Sequence, residues 1–451
     1  MRRICLFVLI FFIFSFVFAG HKSLVPENPS KAYDYFLSNC ECSSVGHHGS
    51  ATIEATALAG LDSRFRQDLI FVADQFDSMT KDEITKLSKA IKKNGWKGVG
   101  LSIPLRQLTV QNLEKDWIQR LKESQDAGIS YWKMDGGGKA DHFDLLRKLT
   151  DLGRQYAPYI CIEQSFQDSC SKFCNVMSIP RIDHVISSPF TIGSVVQLLS
   201  MKGAYGYKSV INCGDEPYIA IGLGCAFGLS CQSLKQDATK VSSPLYGRNA
   251  KKRMDEVLRA ARWHRIAEPF GVNGDAVVDV NLLTDYWILN SSESLPNRTI
   301  GDTVVFTAPA RVSRNMPLPI VGLDVNNSKR PYILATRYPN GAVAVVAVER
   351  VMERSCFQEP TAVCIQVENT DVPIGIFGHY KELVINFKEK IPRKKHLLAQ
   401  DLAGDKCLNI SADIRILGNS IIIPGEVIER IGCMASTVGD DSAPGMVVKI
   451  E

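Results

Sequence analysis

Apolar and polar positions follow two different patterns in the two halves of the chain. Between Asp68 and about Gly224, short apolar or β-branched runs alternate with stretches whose apolar residues recur every three or four positions. Leu69–Asp74 has the first pattern, and Lys81–Asn94, closed by Gly95, has the second. The first is typical of a buried strand and the second of an amphipathic helix. This alternation predicts a parallel sheet, because a crossover helix joins parallel neighbours.

The same pattern predicts eight strands and the helices between them. The predicted strands are Thr52–Ala59, Leu69–Asp74, Gly98–Ile103, Ile129–Met134 leading into Asp135, Tyr159–Glu163, Ile182–Ser187, Lys208–Asn212 and the apolar run Tyr218–Gly224. The predicted helices are Lys81–Asn94, Leu113–Ala127, residues 141–156, Thr191–Lys202 and Lys251–Ala267. Eight strands favour a closed (β/α)8 barrel over a doubly wound open sheet. Both architectures place active sites at the carboxyl ends of strands.

Beyond residue 271 strands follow one another without helices between them. The predicted strands here are Thr303–Ala308, Tyr332–Arg337, Ala342–Glu349 and Leu383–Phe387. Asn340-Gly341 lies between two of them, and this dipeptide supplies the positive φ values of a tight hairpin turn. The pattern predicts an α/β protein in which the barrel is followed by a smaller antiparallel β-sandwich. The predicted divisions are 1–19 for a signal peptide, 20–50 for an N-terminal segment, 51–271 for the barrel and 272–451 for the β domain.

The N-terminus has the pattern of a secretory signal peptide. Two arginines precede an apolar run from Ile4 to Phe18, and small residues follow, so cleavage is expected after Ala19. The run is shorter than the roughly 20 residues that a membrane-spanning helix needs. We therefore expect a secreted or periplasmic protein with no membrane partner after cleavage.

Composition narrows the function classes. The chain has 451 residues, of which 45% are hydrophobic and 22% charged, which is typical of two folded domains. A net charge of +4 is too small to predict a nucleic-acid partner. Twelve cysteines follow the signal segment, and in an oxidising compartment some would form disulfides of unknown pairing. Their spacing lacks the paired Cys-x-x-Cys pattern of structural zinc sites, so no metal is predicted.

The strand that leads into Asp135 carries the clearest chemical pattern. It reads Tyr-Trp-Lys-Met-Asp from residue 131 to 135 and is followed by three glycines. Alternate side chains of a strand share a face, so Lys133 and Asp135 are expected on one side, and Trp132 on the other, in the layer between barrel and helices. A nearby lysine favours the ionised carboxylate that a nucleophile or base requires. The alternative is a structural lysine–aspartate pair that caps the next helix.

This motif, at the end of the predicted fourth strand, resembles the Lys-x-Asp motif of clan D glycoside hydrolases, the α-galactosidase families 27 and 36. The resemblance covers about residues 68–270, and the β domain fits the clan's layout. It implies a retaining mechanism with Asp135 as the nucleophile and an aspartate of the sixth strand as the acid/base. Asp183 is the candidate for that role. One residue separates it from Arg181, whereas three separate the corresponding arginine and aspartate in the family.

Further polar residues follow predicted strand ends. The predicted substrate-binding residues are Asp74, Lys133, Glu163, Arg181 and Asp215. Glu163 is expected to end the fifth strand, where the clan recognises sugar hydroxyls. The seventh-strand segment lacks the tryptophan and the fuller acidic motif of α-galactosidases, so the resemblance does not extend to close identity with them. Asp74, Glu163 and Asp215 each have an alternative interpretation as a helix cap or surface charge.

Three functions are consistent with these patterns. The first is a retaining glycosidase that cleaves terminal α-linked sugars without a cofactor. The second is a glycosidase with a different sugar or inverting stereochemistry on the same barrel. The third is a non-catalytic carbohydrate-binding relative that lacks the acid/base. A phosphate-binding loop is disfavoured, because Gly136-Gly137-Gly138 lacks the required lysine and serine or threonine. Oligomeric state is not indicated.

Overall fold

A computed structural model describes most of the chain. The described residues are 21–27, 38–42, 66–73, 79–104, 113–135, 143–165, 176–179, 187–200, 208–212, 217–230, 254–271, 274–289, 299–322, 329–353, 355–392 and 395–451. The predicted signal peptide, residues 1–19, lies outside them.

Eight parallel strands form a closed barrel, which confirms the predicted architecture. They are β1 (Ser38–Cys42), β2 (Leu69–Ala73), β3 (Gly98–Pro104), β4 (Tyr131–Asp135), β5 (Cys161–Ser165), β6 (Val176–Ile179), β7 (Lys208–Asn212) and β8 (Ala226–Ser230). Each strand pairs with its neighbours in sequence, and β1 pairs with both β2 and β8, which closes the cylinder. All eight carboxyl ends therefore surround one mouth, where barrel enzymes carry their active sites.

Several predicted strand positions were wrong although the number was right. The first strand begins at Ser38, so the barrel starts before the predicted residue 51, and the predicted strand at 52–59 lies outside the described residues. The sixth strand ends at Ile179, ahead of the predicted 182–187, and Ser187 already begins a helix. The run at 218–224 is helical instead of a strand. It is buried on every side, so its apolar residues have no period that distinguishes helix from strand.

Helices cover the barrel or join it to the second unit. They are α1 (Lys81–Lys93), α2 (Leu113–Asp126), α3 (Phe143–Tyr156), α4 (Ser187–Ser200), α5 (Pro217–Leu223), α6 (Met254–Ile266) and, in the second unit, α7 (Gly425–Gly432). A capping box begins α1, in which the Thr80 side chain accepts from the Glu83 backbone and the Glu83 side chain accepts from the Thr80 backbone. Gly95 follows α1 at φ +88°, the left-handed conformation that glycine adopts most readily.

Alternation along β4 separates the barrel interior from the helical layer. Trp132 is fully buried and its ring lies 5.5 Å from that of Trp117 on α2, in an edge-to-face contact. Tyr131 instead packs with Ile70 and Val72 of β2 inside the barrel. Gly100 on β3 leaves room for it, since a Cβ there would lie 3.1 Å from the Tyr131 Cβ. The prediction that Trp132 points outward is confirmed.

The second unit is a β-sandwich of two larger sheets with two hairpins. Its strands are β9 (Ala276–Val278), β10 (Leu282–Ile288), β11 (Thr303–Pro309), β12 (Arg311–Arg314), β13 (Ile320–Val321), β14 (Tyr332–Arg337), β15 (Val343–Val348), β16 (Arg350–Met352), β17 (Ser355–Phe357), β18 (Thr361–Val367), β19 (Ile374–Phe377), β20 (Tyr380–Phe387), β21 (Leu397–Asp401), β22 (Cys407–Asn409), β23 (Arg415–Leu417), β24 (Ser420–Pro424) and β25 (Gly445–Ile450).

The larger sheet has the order β22-β21-β25-β19-β15-β14-β12-β9 and the smaller one β13-β18-β20-β24-β23. Strands β10 and β11 form one hairpin, and β16 and β17 the other. Most pairs are antiparallel, as expected, but β12–β14, β15–β19 and β18–β20 are parallel.

Four described cysteines, Cys225, Cys364, Cys407 and Cys433, carry free thiols.

Three barrel helices pack against the second unit: α4 contacts β11, and α5 and α6 contact the larger sheet. Helix α5 packs against β14 and β15, so closely that a Cβ at Gly222 would lie 2.5 Å from the Leu334 Cβ. On α6, Arg259 donates two hydrogen bonds to Asp401, at 2.9 and 3.2 Å, with both side chains excluded from solvent. One core cluster contains apolar residues of both units, whereas the residues between the two larger sheets form a second cluster. Among the described helices, none has the length and apolar character required to cross a membrane.

Candidate active site

A polar layer lies inside the barrel where β4 and β5 pair. Lys133 on β4 is in register with Glu163 on β5, and Tyr131 is in register with Cys161. Glu163 is 0% exposed and Lys133 is 7% exposed. Charged side chains are rarely buried so completely unless they are paired or serve a function. The interior of this barrel is therefore not filled by apolar side chains alone.

Tyr131 holds the Glu163 carboxylate in place. Its hydroxyl donates to Glu163 Oε2 at 2.5 Å, in a fully buried contact. The prediction that Glu163 ends the fifth strand was wrong, because β5 begins at Cys161 and continues to Ser165. Glu163 consequently lies level with Lys133, below the end of the strand.

Asp135 is the last residue of β4, with Pro104 of β3 as its neighbour in register. It lies two residues nearer the mouth than Lys133, at a position with the same parity as Tyr131 and Lys133. The backbone thus places this aspartate at the carboxyl end of the fourth strand, as the sequence predicted. Its side chain lies outside the described part of the structure.

Four other candidates lie outside the described residues: Asp74, Arg181, Asp183 and Asp215. In the sequence, Asp74 follows the end of β2, Arg181 and Asp183 follow the end of β6, and Asp215 follows the end of β7. The roles of these residues and the distance between the Asp135 and Asp183 carboxyl groups stay predictions.

Sequence reasoning missed two members of the polar layer. Tyr131 contacts Glu163, and Ser102 on β3 is buried in register with Lys133. Both could have been found from the alternation of side chains. Tyr131 lies two residues before Lys133 on the same side of β4, and Ser102 is the neighbour of Lys133 in register on β3. Within the described residues no group of three or more histidine, cysteine or acidic side chains is placed to hold a metal ion.

Comparisons with known proteins give structural likenesses only. No family model matches the chain, and no curated protein matches its sequence. Among solved structures, it is similar to a GH27 β-L-arabinopyranosidase from Geobacillus stearothermophilus (TM-score 0.44, 7% identity), with 93% of this chain and 97% of that chain covered. It is also similar to α-galactosidase I from Mortierella vinacea (0.42, 10%), with 93% and 98% covered. An α-galactosidase candidate from Bacteroides fragilis (0.43, 10%) aligns over 92% and 79%.

Proposed function

We propose that the protein is a retaining glycoside hydrolase that removes a terminal α-linked sugar, with Asp135 as its nucleophile. One observation carries this proposal. The Tyr131–Lys133–Glu163 layer lies directly below Asp135 at the mouth of a closed eight-stranded barrel. Burying these groups costs free energy, which a purely structural strand would avoid with apolar residues. An active site needs such polar groups, because they hold a catalytic carboxylate and a bound sugar in position.

The reaction would proceed in two displacements. Asp135 attacks the anomeric carbon, the glycosidic C–O bond breaks, and Asp183 donates its proton to the departing oxygen. The resulting sugar ester of Asp135 is then hydrolysed by water, whose proton returns to Asp183. Lys133, two residues earlier on β4, would favour the ionised form of Asp135, because a nearby positive charge stabilises a carboxylate.

Asp74, Arg181 and Asp215 would bind sugar hydroxyls from the ends of β2, β6 and β7. No cofactor enters these steps. The signal pattern of residues 1–19 supports export, so the substrate would be an extracellular or periplasmic glycoside.

Asp135→Asn tests the assignment directly. The variant keeps the size of the side chain but loses its charge, so we expect hydrolysis of nitrophenyl α-glycosides to fall by at least about a thousandfold in kcat. The measurement is a screen of nitrophenyl glycosides with the purified protein, with thermal unfolding as a check of the fold. Asp126→Asn, at an exposed position on α2, is the matched control and should keep full activity.

Product stereochemistry separates the related mechanisms. Proton NMR of the first sugar released should show the α-anomer, because double displacement retains configuration. A β-anomer would indicate an inverting enzyme on the same barrel. Full activity in Asp135→Asn would exclude Asp135 as the nucleophile. If the protein bound a sugar but hydrolysed no glycoside, its role would be that of a lectin.

A further inference from the structure

A groove enters the β-sandwich at an edge where its two larger sheets meet. Its volume is about 400 Å³, within the range of roughly 300–1000 Å³ that holds small ligands. Leu397 and Ile450 line it from the larger sheet, and Ile421 lines it from the smaller one. All three belong to the sandwich core, so the groove leads from solvent to apolar interior.

The mouth of the groove is positively charged. Lys390 and Lys395 line it, and both are exposed. The acidic side chains nearby have other partners: Glu389 accepts from the Thr370 backbone, Asp413 pairs with Arg430, and Glu451, which follows Ile450, pairs with Lys449. Neither lysine forms an ion pair with any residue that the structure describes. The chain from 388 to 396 carries five lysines or arginines and one glutamate.

A tight hairpin adds an apolar lip. Strands β23 and β24 are joined by Gly418-Asn419, with Gly418 at φ +61° in the first central position, as in a type II′ turn. The turn presents Ile416, which is 52% exposed and lines the groove. Leu417, the next residue, is 63% exposed and does not line it. Strand alternation accounts for this difference between neighbours.

We propose that this groove binds an aliphatic carboxylate, a single-chain anionic amphiphile. The hydrocarbon chain would pack against Ile416, Ile421 and Ile450, and the carboxylate would lie between Lys390 and Lys395. Apolar walls with a few charged groups at one end match such a ligand in both shape and charge. The site is built wholly from the sandwich and is independent of the glycosidase proposal.

Calorimetry with the full chain and sodium dodecanoate, below its micelle concentration, tests the proposal. We expect one molecule to bind per chain. Butyrate, which has the same head and a short chain, should bind at least tenfold more weakly, because it leaves the apolar walls uncovered. Dodecyltrimethylammonium, with the same chain and a positive head, should also bind at least tenfold more weakly. Absence of dodecanoate binding, or equal binding of the two long-chain probes, would overturn the proposal.

Paired variants locate the site. Ile416→Asp places a carboxylate at the mouth and should weaken dodecanoate binding at least tenfold, whereas Leu417→Asp, at the neighbouring exposed position, should leave it unchanged. Lys390→Gln with Lys395→Gln should weaken binding about tenfold, since two charge contacts are lost. The control for that pair is Lys89→Gln with Lys93→Gln, at exposed positions of α1.

Thermal unfolding verifies that each variant is folded. If Ile416→Asp and Leu417→Asp weakened dodecanoate binding equally, binding in the groove would be contradicted. Unchanged dodecanoate binding in the Lys390 and Lys395 variant would contradict it as well. Vesicles of phosphatidylserine and phosphatidylcholine provide a further arm. If the protein bound these vesicles and not free dodecanoate, the face would be a membrane contact and the proposal would be wrong.

Discussion

The hydroxyl of Tyr131 and the carboxylate of Glu163 meet in the barrel interior with no access to solvent. A buried acceptor that loses its donor remains desolvated and unpaired, which costs more than the hydrogen bond itself contributes. The contact therefore matters for stability and for the position of the polar layer below Asp135. An exposed pair of the same type, Tyr286 with Glu353 at 2.7 Å, has water as an alternative partner.

Tyr131→Phe should lower the free energy of unfolding by about 1–3 kcal/mol, because it removes only the buried donor. Chemical denaturation measures this change. If Glu163 orients substrate-binding groups, KM should rise as well, with little change in kcat. Tyr286→Phe is the control, and we expect no measurable effect from it. Equal stability of the two variants would contradict a buried role for the Tyr131 hydroxyl.

For single residues, the sequence predicted the features that depend only on the alternation of side chains along a strand. Lys133 and Trp132 lie on opposite sides of β4 because consecutive side chains alternate, whatever the tertiary structure. The depth of Glu163 could not be predicted in the same way. Ile160 and Ile162 allow strands that begin at 159 or 161, and only pairing with β4 fixes the register.

Helix α6 joins the units through ion pairs that differ in burial. Arg259 pairs with Asp401 out of contact with solvent, and the Asp401 carboxylate also accepts from the backbone of Ala403 and Ala435. Arg262, one turn further along, pairs with Asp405, which is 74% exposed. Removing one partner of a buried ion pair leaves the other charge desolvated and unpaired, whereas water can replace a partner that is exposed.

Asp401→Asn should therefore destabilise the protein by about 3–5 kcal/mol, since it leaves the Arg259 guanidinium without its counter-charge. Asp405→Asn removes the same charge four residues further along the chain and should have a much smaller effect. The comparison is made by denaturant unfolding of both variants at neutral pH. Similar losses in the two variants would show that burial does not decide the strength of these pairs.

Helices with one apolar face were predictable as elements, but buried ones were not. The stretch that became α1 has a polar face, a capping box and a terminal glycine, so local signals agree. Helix α5 is also followed by a left-handed glycine, Gly224, but it has no polar face, because the barrel and the sandwich cover it on all sides. Its apolar run was mistaken for the eighth strand, which in fact follows it at β8. The contacts of α5 with β14 and β15 resolve that ambiguity.

For the whole molecule, a buried histidine links stability to pH. His264 on α6 is fully buried against Phe227, and burial lowers its pKa to about 3. The unfolded chain takes up a proton near pH 6.5, whereas the folded chain does not. A folded-state pKa below the unfolded value for a base means that stability is present above pH 6.5 and is lost as pH falls towards 3.

Between pH 7 and pH 5 this residue should cost about 2 kcal/mol of unfolding free energy. Other groups titrate in the same window, so the measurement compares the protein with His264→Gln at both pH values. The variant should lack that share of the pH dependence, whatever its stability at pH 7. The same loss in both proteins would mean that His264 can be protonated in the folded state.

The tight seating of Gly222 on Leu334 has a consequence for how this chain can change over generations. A recombination point near residue 271 would separate two apolar surfaces whose side chains fit each other closely. Each fragment alone would expose its apolar surface and be prone to aggregation. Exchanging one half for that of a distant relative would require matching replacements along the seam. We therefore expect the halves to be inherited together, with novelty arising in the loops around the mouth.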